Sequence, residues 1–153
     1  FDCQPEIVNC VQQTIELNRL RNVRVECRVV SDKCGMINYH PIDYTWGANF
    51  GAYEFEEPFA DSDFNGRLCP HLDQIETVTI DSLNLLDVVL IKLDIEGMEY
   101  QALNGAVETI KHSQPLIAFE HHKTNRKAAE QLLKNIGYQI YTSIGQMSVC
   151  IPN

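Results

Sequence analysis

The sequence predicts an α/β fold, with a mostly parallel sheet, helices on both faces and an antiparallel strand at the C-terminal end. Three observations predict it. Short apolar runs alternate with segments of helical period along most of the chain. Two of those runs, VVLIKL at 88–93 and LIAFE at 116–120, end in acids and lead directly into helical patterns. Two extended segments then flank Gly145 near the end. A chain of 153 residues with 44% hydrophobic residues suits one domain over 1–153 built on one core.

The elements follow in order. Pro5 fits the first turn of a helix, and Ile7, Val8, Val11 and Ile15 keep helical spacing, so a helix is expected from about Pro5 to Leu20. In VRVECRVVS, Val23, Val25, Cys27 and Val29 alternate with Arg24, Glu26 and Arg28, which predicts a strand with one polar face that ends at Ser31 and Asp32. Cys34 and Gly35 turn the chain into a short extended piece, MINYH. From about 41 to 72 the periodicity weakens, and the stretch carries Tyr44, Trp46, Phe50, Tyr53, Phe55, Phe59 and Phe64 among glycines and prolines. This is a loop-rich aromatic insertion, expected to cover the sheet or to line a pocket. Its acids, Glu54, Glu56, Glu57, Asp61 and Asp63, lack the spacing of a metal loop.

Glu76–Ile80 reads as a strand entering a turn that Asp81 or Ser82 can cap. After VVLIKL come Asp94, Glu96, Gly97 and Glu99, and from Met98 a helical period runs to about His112 with a break near Gly105. LIAFE is followed by His121 and His122. Thr124 or Asn125 can cap the next helix, which Gly137 closes. YQIYTS and QMSVCIP form the terminal antiparallel pair.

Composition narrows function. No apolar run approaches the roughly 20 residues that cross a bilayer. The formal net charge is −9 with scattered cations, which argues against nucleic acid and membrane surfaces as partners. The six cysteines show no CxxC pair, so they read as reduced thiols of a cytoplasmic protein. Three predicted strand ends carry polar groups: Ser31 and Asp32, Asp94 and Glu96, Glu120 and His121. Ligands of open α/β sheets bind outside the carboxyl ends of strands, so right-handed crossovers would make that edge the site. Asp94 and Glu96 could equally be helix-capping acids, and His121 an exposed polar cap. No metal site is assigned, because Asp94, Glu96 and a distant His121 make a weak pattern for a divalent ion.

Several stretches, in order, resemble the FkbM-type S-adenosylmethionine-dependent methyltransferases: FDCQPE, IELNRLRNVRV, VVSDKCG, ANFGA, TIDSL, VLIKLDIEGMEYQALNGA, QPLIAFEHH and GYQIY. They span nearly the whole chain, and the IKLDIEGMEYQAL block is the most specific. The resemblance implies a Rossmann-like class I methyltransferase sheet with an antiparallel C-terminal strand. It also implies methyl transfer from S-adenosylmethionine to an oxygen of a sugar or small natural product. By position, Asp2 looks like the acid that binds the cofactor ribose, although the family pattern has Glu there. Ser31 and Asp32 look like adenine-side residues, and Asp94 like an acid near donor and acceptor. Glu96 and His121 resemble substrate-side positions. His121 is then the expected general base, with Asp94 orienting it or holding the charged end of the donor.

The same resemblance places a first strand and a glycine-rich turn before Phe1. These residues are therefore expected to be the C-terminal portion of a longer protein, to bind the cofactor poorly alone, and to expose strand edges that an oligomer could cover. Two other classes compete: a non-catalytic Rossmann-like interaction module, and a nicotinamide dehydrogenase, which the LDIEGME block disfavours.

Overall fold

The computed structural model describes residues 1–45, 47, 49–55, 68–69 and 71–153. They cluster as two compact units. Unit 1 comprises Phe1–Val29 and Gly35–Thr77, and unit 2 comprises Val30–Cys34 and Val78–Asn153.

In unit 1, α1 spans Pro5–Leu17, opened by Pro5 with Glu6 in the first turn. The sequence predicts a helix to Leu20, yet it stops at Leu17 for a local reason. Arg19 takes the left-handed φ of +53°, and the N–H groups of Arg19 and Leu20 donate to Glu16 O and Ile15 O, both at 3.0 Å. That is a Schellman closure with arginine where glycine is usual. The predicted strand over Val23–Ser31 is also shorter: β1 is Val29–Val30. Among the described residues, 26–28 pair in extended fashion with Asp2, through Asp2 N–H to Glu26 O at 3.1 Å and Arg28 N–H to Asp2 O at 3.2 Å. Alternation supplies a strand pattern, but a ladder needs a partner along its length.

Strand β2 (Gly35–Tyr39) is the expected extended piece, and it pairs antiparallel with β3 (Asp73–Val78) from Gly35–Thr77 to Tyr39–Asp73. The β3 strand begins three residues before the expected Glu76. The smaller sheet has the order β1-β3-β2. Unit 1 has its own apolar cluster, where Ile42, Ala52 and Tyr53 are buried against Cys3, Tyr39, Tyr44, Phe50, Phe55 and Leu68. The described part of the aromatic insertion is therefore packed. Trp46, Phe59 and Phe64, and the acids Glu56, Glu57, Asp61 and Asp63, lie outside the described residues.

Unit 2 holds the larger sheet. Its strands are β4 (Leu90–Leu93), β5 (Leu116–Glu120), β6 (Tyr138–Ile144) and β7 (Met147–Pro152), in the order β4-β5-β7-β6. The β4 and β5 strands are parallel, with Leu93 opposite Phe119. The other two pairings, β5 with β7 and β6 with β7, are antiparallel, as the terminal pair was expected to be. Helices α2 (Glu99–Asn104), α3 (Val107–Ser113) and α4 (Arg126–Asn135) complete the unit. Leu103, Ile110, Ile117 and Phe119 are wholly buried, and each such side chain contributes roughly 1.5–3 kcal/mol.

The break between α2 and α3 falls at Gly105, and the reason is contact. A Cβ there would sit 2.1 Å from the carbonyl oxygen of Ser31. The structure thus shows a mixed α/β fold with two sheets and helices.

Candidate active site

The parallel pairing of β4 with β5 decides the site. Register places Asp94 and Glu120 side by side, each one step beyond the Leu93–Phe119 pair. Carboxylate oxygens of Asp94, Glu96 and Glu120 all lie within 4.8 Å of one another. Two of these acids have cationic neighbours. Lys92 Nζ is 2.7 Å from Asp94 Oδ2, and Lys123 Nζ is 2.9 Å from Glu96 Oε2. Glu120 shows the electrostatic consequence. Loss of hydration, followed by the Glu96, Asp94 and Glu99 carboxylates, pushes its pKa above the ordinary carboxyl value, with His122 opposing.

The turn that presents these acids is held from inside. Glu96 has φ +52° and Gly97 φ +104°, two left-handed residues in succession. Glu99 is 1% exposed, and its carboxylate accepts the N–H groups of Ile95 at 2.9 Å and Gly97 at 3.1 Å. Its pKa is raised chiefly by burial, against the lowering effect of those hydrogen bonds. Sequence alone makes Glu99 a helix first-turn acid. Its role as a brace for the turn depends on burial that spacing does not reveal.

The loop after β5 is tied to the loop after β4. Tyr100 N–H donates to Thr124 Oγ1 at 3.2 Å, and Lys123 carries the ion pair to Glu96. His121 makes a different set of contacts. Its N–H donates to Gln146 O at 2.8 Å, and its Nδ1 lies 2.9 Å from the hydroxyl oxygen of the buried Ser148. Burial, then the Arg126 guanidinium on α4, lowers the His121 pKa below the ordinary imidazole value. The ring is therefore neutral at pH 7 and able to accept a proton.

Each residue expected at a site now has a place. Asp94 and Glu96 come together at the end of β4. Glu120, noted in the sequence only as a strand-ending acid, joins them, whereas the ring of His121 is held by Ser148. Ser31 is buried, and its hydroxyl donates to Asp32 Oδ1 at 3.3 Å, while Asp32 is exposed. Asp2 belongs to unit 1, where Oδ1 accepts the N–H of Gln4 at 2.8 Å. A group of three metal-capable acids exists, but it is made with Glu120 in place of His121.

Chemically, the acids of unit 2 can accept hydrogen bonds, hold a cationic group or take a proton from a hydroxyl. The Asp2 carboxylate has accepting capacity beyond its bond to Gln4, which fits a ribose diol, a group that donates. Taken each by itself, the Asp2 carboxylate suits a hydroxyl-bearing group and the unit 2 acids suit a cationic one.

Residues 69–140 match the family described as the methyltransferase FkbM domain. Among solved structures, a methyltransferase FkbM from Methylobacillus flagellatus KT is similar, with a TM-score of 0.56 and 19% identity over 96% of this chain. At that identity the likeness concerns the fold. The match covers 33% of that protein, so the present chain spans about a third of its length. No curated protein matches the chain. The family match agrees with the resemblance read from the sequence, and the matched residues 69–140 hold β4, β5 and the acids at their ends.

Proposed function

We propose that the chain is the C-terminal portion of an S-adenosylmethionine-dependent methyltransferase that methylates an oxygen of a sugar or small natural product. The observation that carries this reading is the meeting of Asp94, Glu96 and Glu120 at the ends of two parallel strands, inside the segment that matches the family. S-adenosylmethionine, when bound, supplies a methyl group already activated on a positively charged sulfur. What is left to the protein is alignment and proton removal.

Asp2 is assigned the ribose hydroxyls, and Ser31 with Asp32 the adenine side. Asp94 is assigned the cationic end of the donor, which its negative charge favours. Glu96 is assigned to the acceptor side, steadied by Lys123. His121 is assigned the acceptor proton, since its imidazole is neutral at physiological pH. Glu120 suits the same task, because a carboxylate with a raised pKa is a stronger base than an ordinary one. The partner is a small-molecule or carbohydrate acceptor. A cytoplasmic location belongs to the proposal, in line with the absence of a CxxC pair among the six cysteines of the sequence. No helix among the described residues is long and apolar enough to cross a membrane.

The test is calorimetry of cofactor binding together with release of S-adenosylhomocysteine by the full-length protein over a panel of sugars and phenols. Asp94→Asn should cut turnover by about a hundredfold, the scale of a positioned acid–base or charge-holding group. Glu120→Gln and His121→Asn, assayed across pH, should differ, with the true base removing the acidic limb of the profile. Failure of the full-length protein to bind the cofactor would overturn the proposal in favour of a non-catalytic interaction module.

A further inference from the structure

Gln4 stands at the N-cap of α1, yet its side chain makes no capping bond to the helix. Ser, Thr, Asp or Asn at this position ordinarily satisfies the first N–H groups of the helix, and Gln4 is none of these. Here the amide is turned away, with both its nitrogen and its oxygen engaged elsewhere. Its Nε2 donates to Phe50 O at 2.7 Å, and its Oε1 accepts the hydroxyl of Tyr44 at 2.6 Å. Gln4 is 8% exposed, so these are sheltered bonds that water does not replace. Tyr44 and Phe50 also pack together, with ring centroids 4.7 Å apart. A second tie holds the same loop, since Tyr53 Oη accepts the N–H of His40 at 3.1 Å.

The backbone of Gln4 faces the other way in function. Its N–H donates to Asp2 Oδ1 at 2.8 Å and fixes the rotation of that carboxylate. The main chain of Asp2 is held separately by Glu26 and Arg28. One residue therefore connects the aromatic loop, through its side chain, to the Asp2 carboxylate, through its N–H. A side chain bonded to one segment and a main-chain N–H bonded to a carboxylate of another, in a single residue, is the geometry of a positioning role.

We infer that Gln4 is a positioning residue that couples the seating of Tyr44 and Phe50 to the orientation of Asp2, so that ribose recognition and the packing of these two residues rise and fall together. The inference rests on the assignment of Asp2 to the cofactor ribose. A carboxylate rotated off its axis loses one of two hydrogen bonds to a diol, a loss of roughly tenfold in affinity.

The experiment titrates S-adenosylhomocysteine, and an analogue lacking both ribose hydroxyls, into the full-length protein. The variants are Asp2→Asn, Gln4→Ala, Tyr44→Phe and the double variant Asp2→Asn/Tyr44→Phe. Tyr44→Phe keeps the ring against Phe50 and deletes only the hydroxyl, and its thermal midpoint checks that folding is intact. The expected result is that Gln4→Ala and Tyr44→Phe weaken the natural ligand roughly tenfold and leave the deoxy analogue unchanged, and that Tyr44→Phe adds nothing to Asp2→Asn. If Asp2→Asn weakens binding while Gln4→Ala and Tyr44→Phe bind as the parent does, or weaken both ligands equally, the coupling is overturned and the ribose assignment stands. If Asp2→Asn binds as tightly as the parent, the ribose assignment fails and the coupling with it.

Discussion

Glu99 places a carboxylate where two backbone N–H groups of a left-handed turn need acceptors. Removing it strands buried donors, so Glu99→Ala should destabilise unit 2 by about 2–4 kcal/mol, read from urea unfolding. Its pKa is raised in the folded state, so the unfolded chain releases this proton first as pH climbs. The stability that Glu99 contributes is thus full below the unfolded carboxyl pKa and declines as pH rises through the folded value. The parent should consequently lose ground to Glu99→Gln as pH rises from the unfolded carboxyl pKa through the folded one, and an advantage that grows with pH would refute a shift dominated by burial. The glycines make a second contrast. Gly97→Ala forces an L-residue to φ +104° but leaves 3.7 Å to the nearest atom, whereas Gly105→Ala has ordinary φ and drives a Cβ into Ser31 O. Denaturation should show the larger loss at Gly105, above the 1–3 kcal/mol of backbone strain expected at Gly97. The acid at 99 and the break at 105 were both legible in the sequence. Their reasons were not, because burial and a contact with Ser31 depend on chain far away.

Caps and strand pairings tell the same story at the level of elements. Asp81 was expected to cap the turn that it begins, and the structure uses it farther off: its two carboxylate oxygens accept the N–H groups of Glu108 at 3.1 Å and Thr109 at 2.7 Å, in the first turn of α3. Ala106, the N-cap residue of α3, has no side chain able to do this. Asp81→Ala should therefore cost about 1–2 kcal/mol, and Asp81→Asn less, measured as shifts in the urea midpoint. Asn125, by contrast, caps its own helix by accepting Ala128 N–H at 3.2 Å, as its spacing predicts. Local signals succeed where both partners lie within one turn. They overextend where a third party decides, as in 23–28, where alternation is clear but extended pairing, among the described residues, is with Asp2.

The strand-end acids were readable as a group because α/β sheets gather such ends, yet the membership came from register. Parallel pairing put Glu120 beside Asp94, and the alternation of a strand turned the next residue, His121, toward Ser148. The larger sheet also has a consequence for association. Among the described residues β4 is an edge strand, and Val89 just before it and Leu90, its first residue, are 82% and 54% exposed. Unpaired edges with apolar side chains invite pairing between chains. Residues 1–153 alone should show a mass by light scattering that climbs with concentration, and Val89→Lys should suppress the climb. A constant monomer mass for the parent would contradict this. The strand order has a further bearing on how the protein is made. Because β7 lies between β5 and β6, the last of these four strands to be synthesised is an interior one. A nascent chain on the ribosome can pair β4 with β5 as soon as both emerge, but β6 must wait without a neighbour. Unit 2 therefore closes its sheet only after translation has passed Pro152, and a stalled or clipped product lacking β7 should be a substrate for chaperones and proteases instead of a smaller working domain.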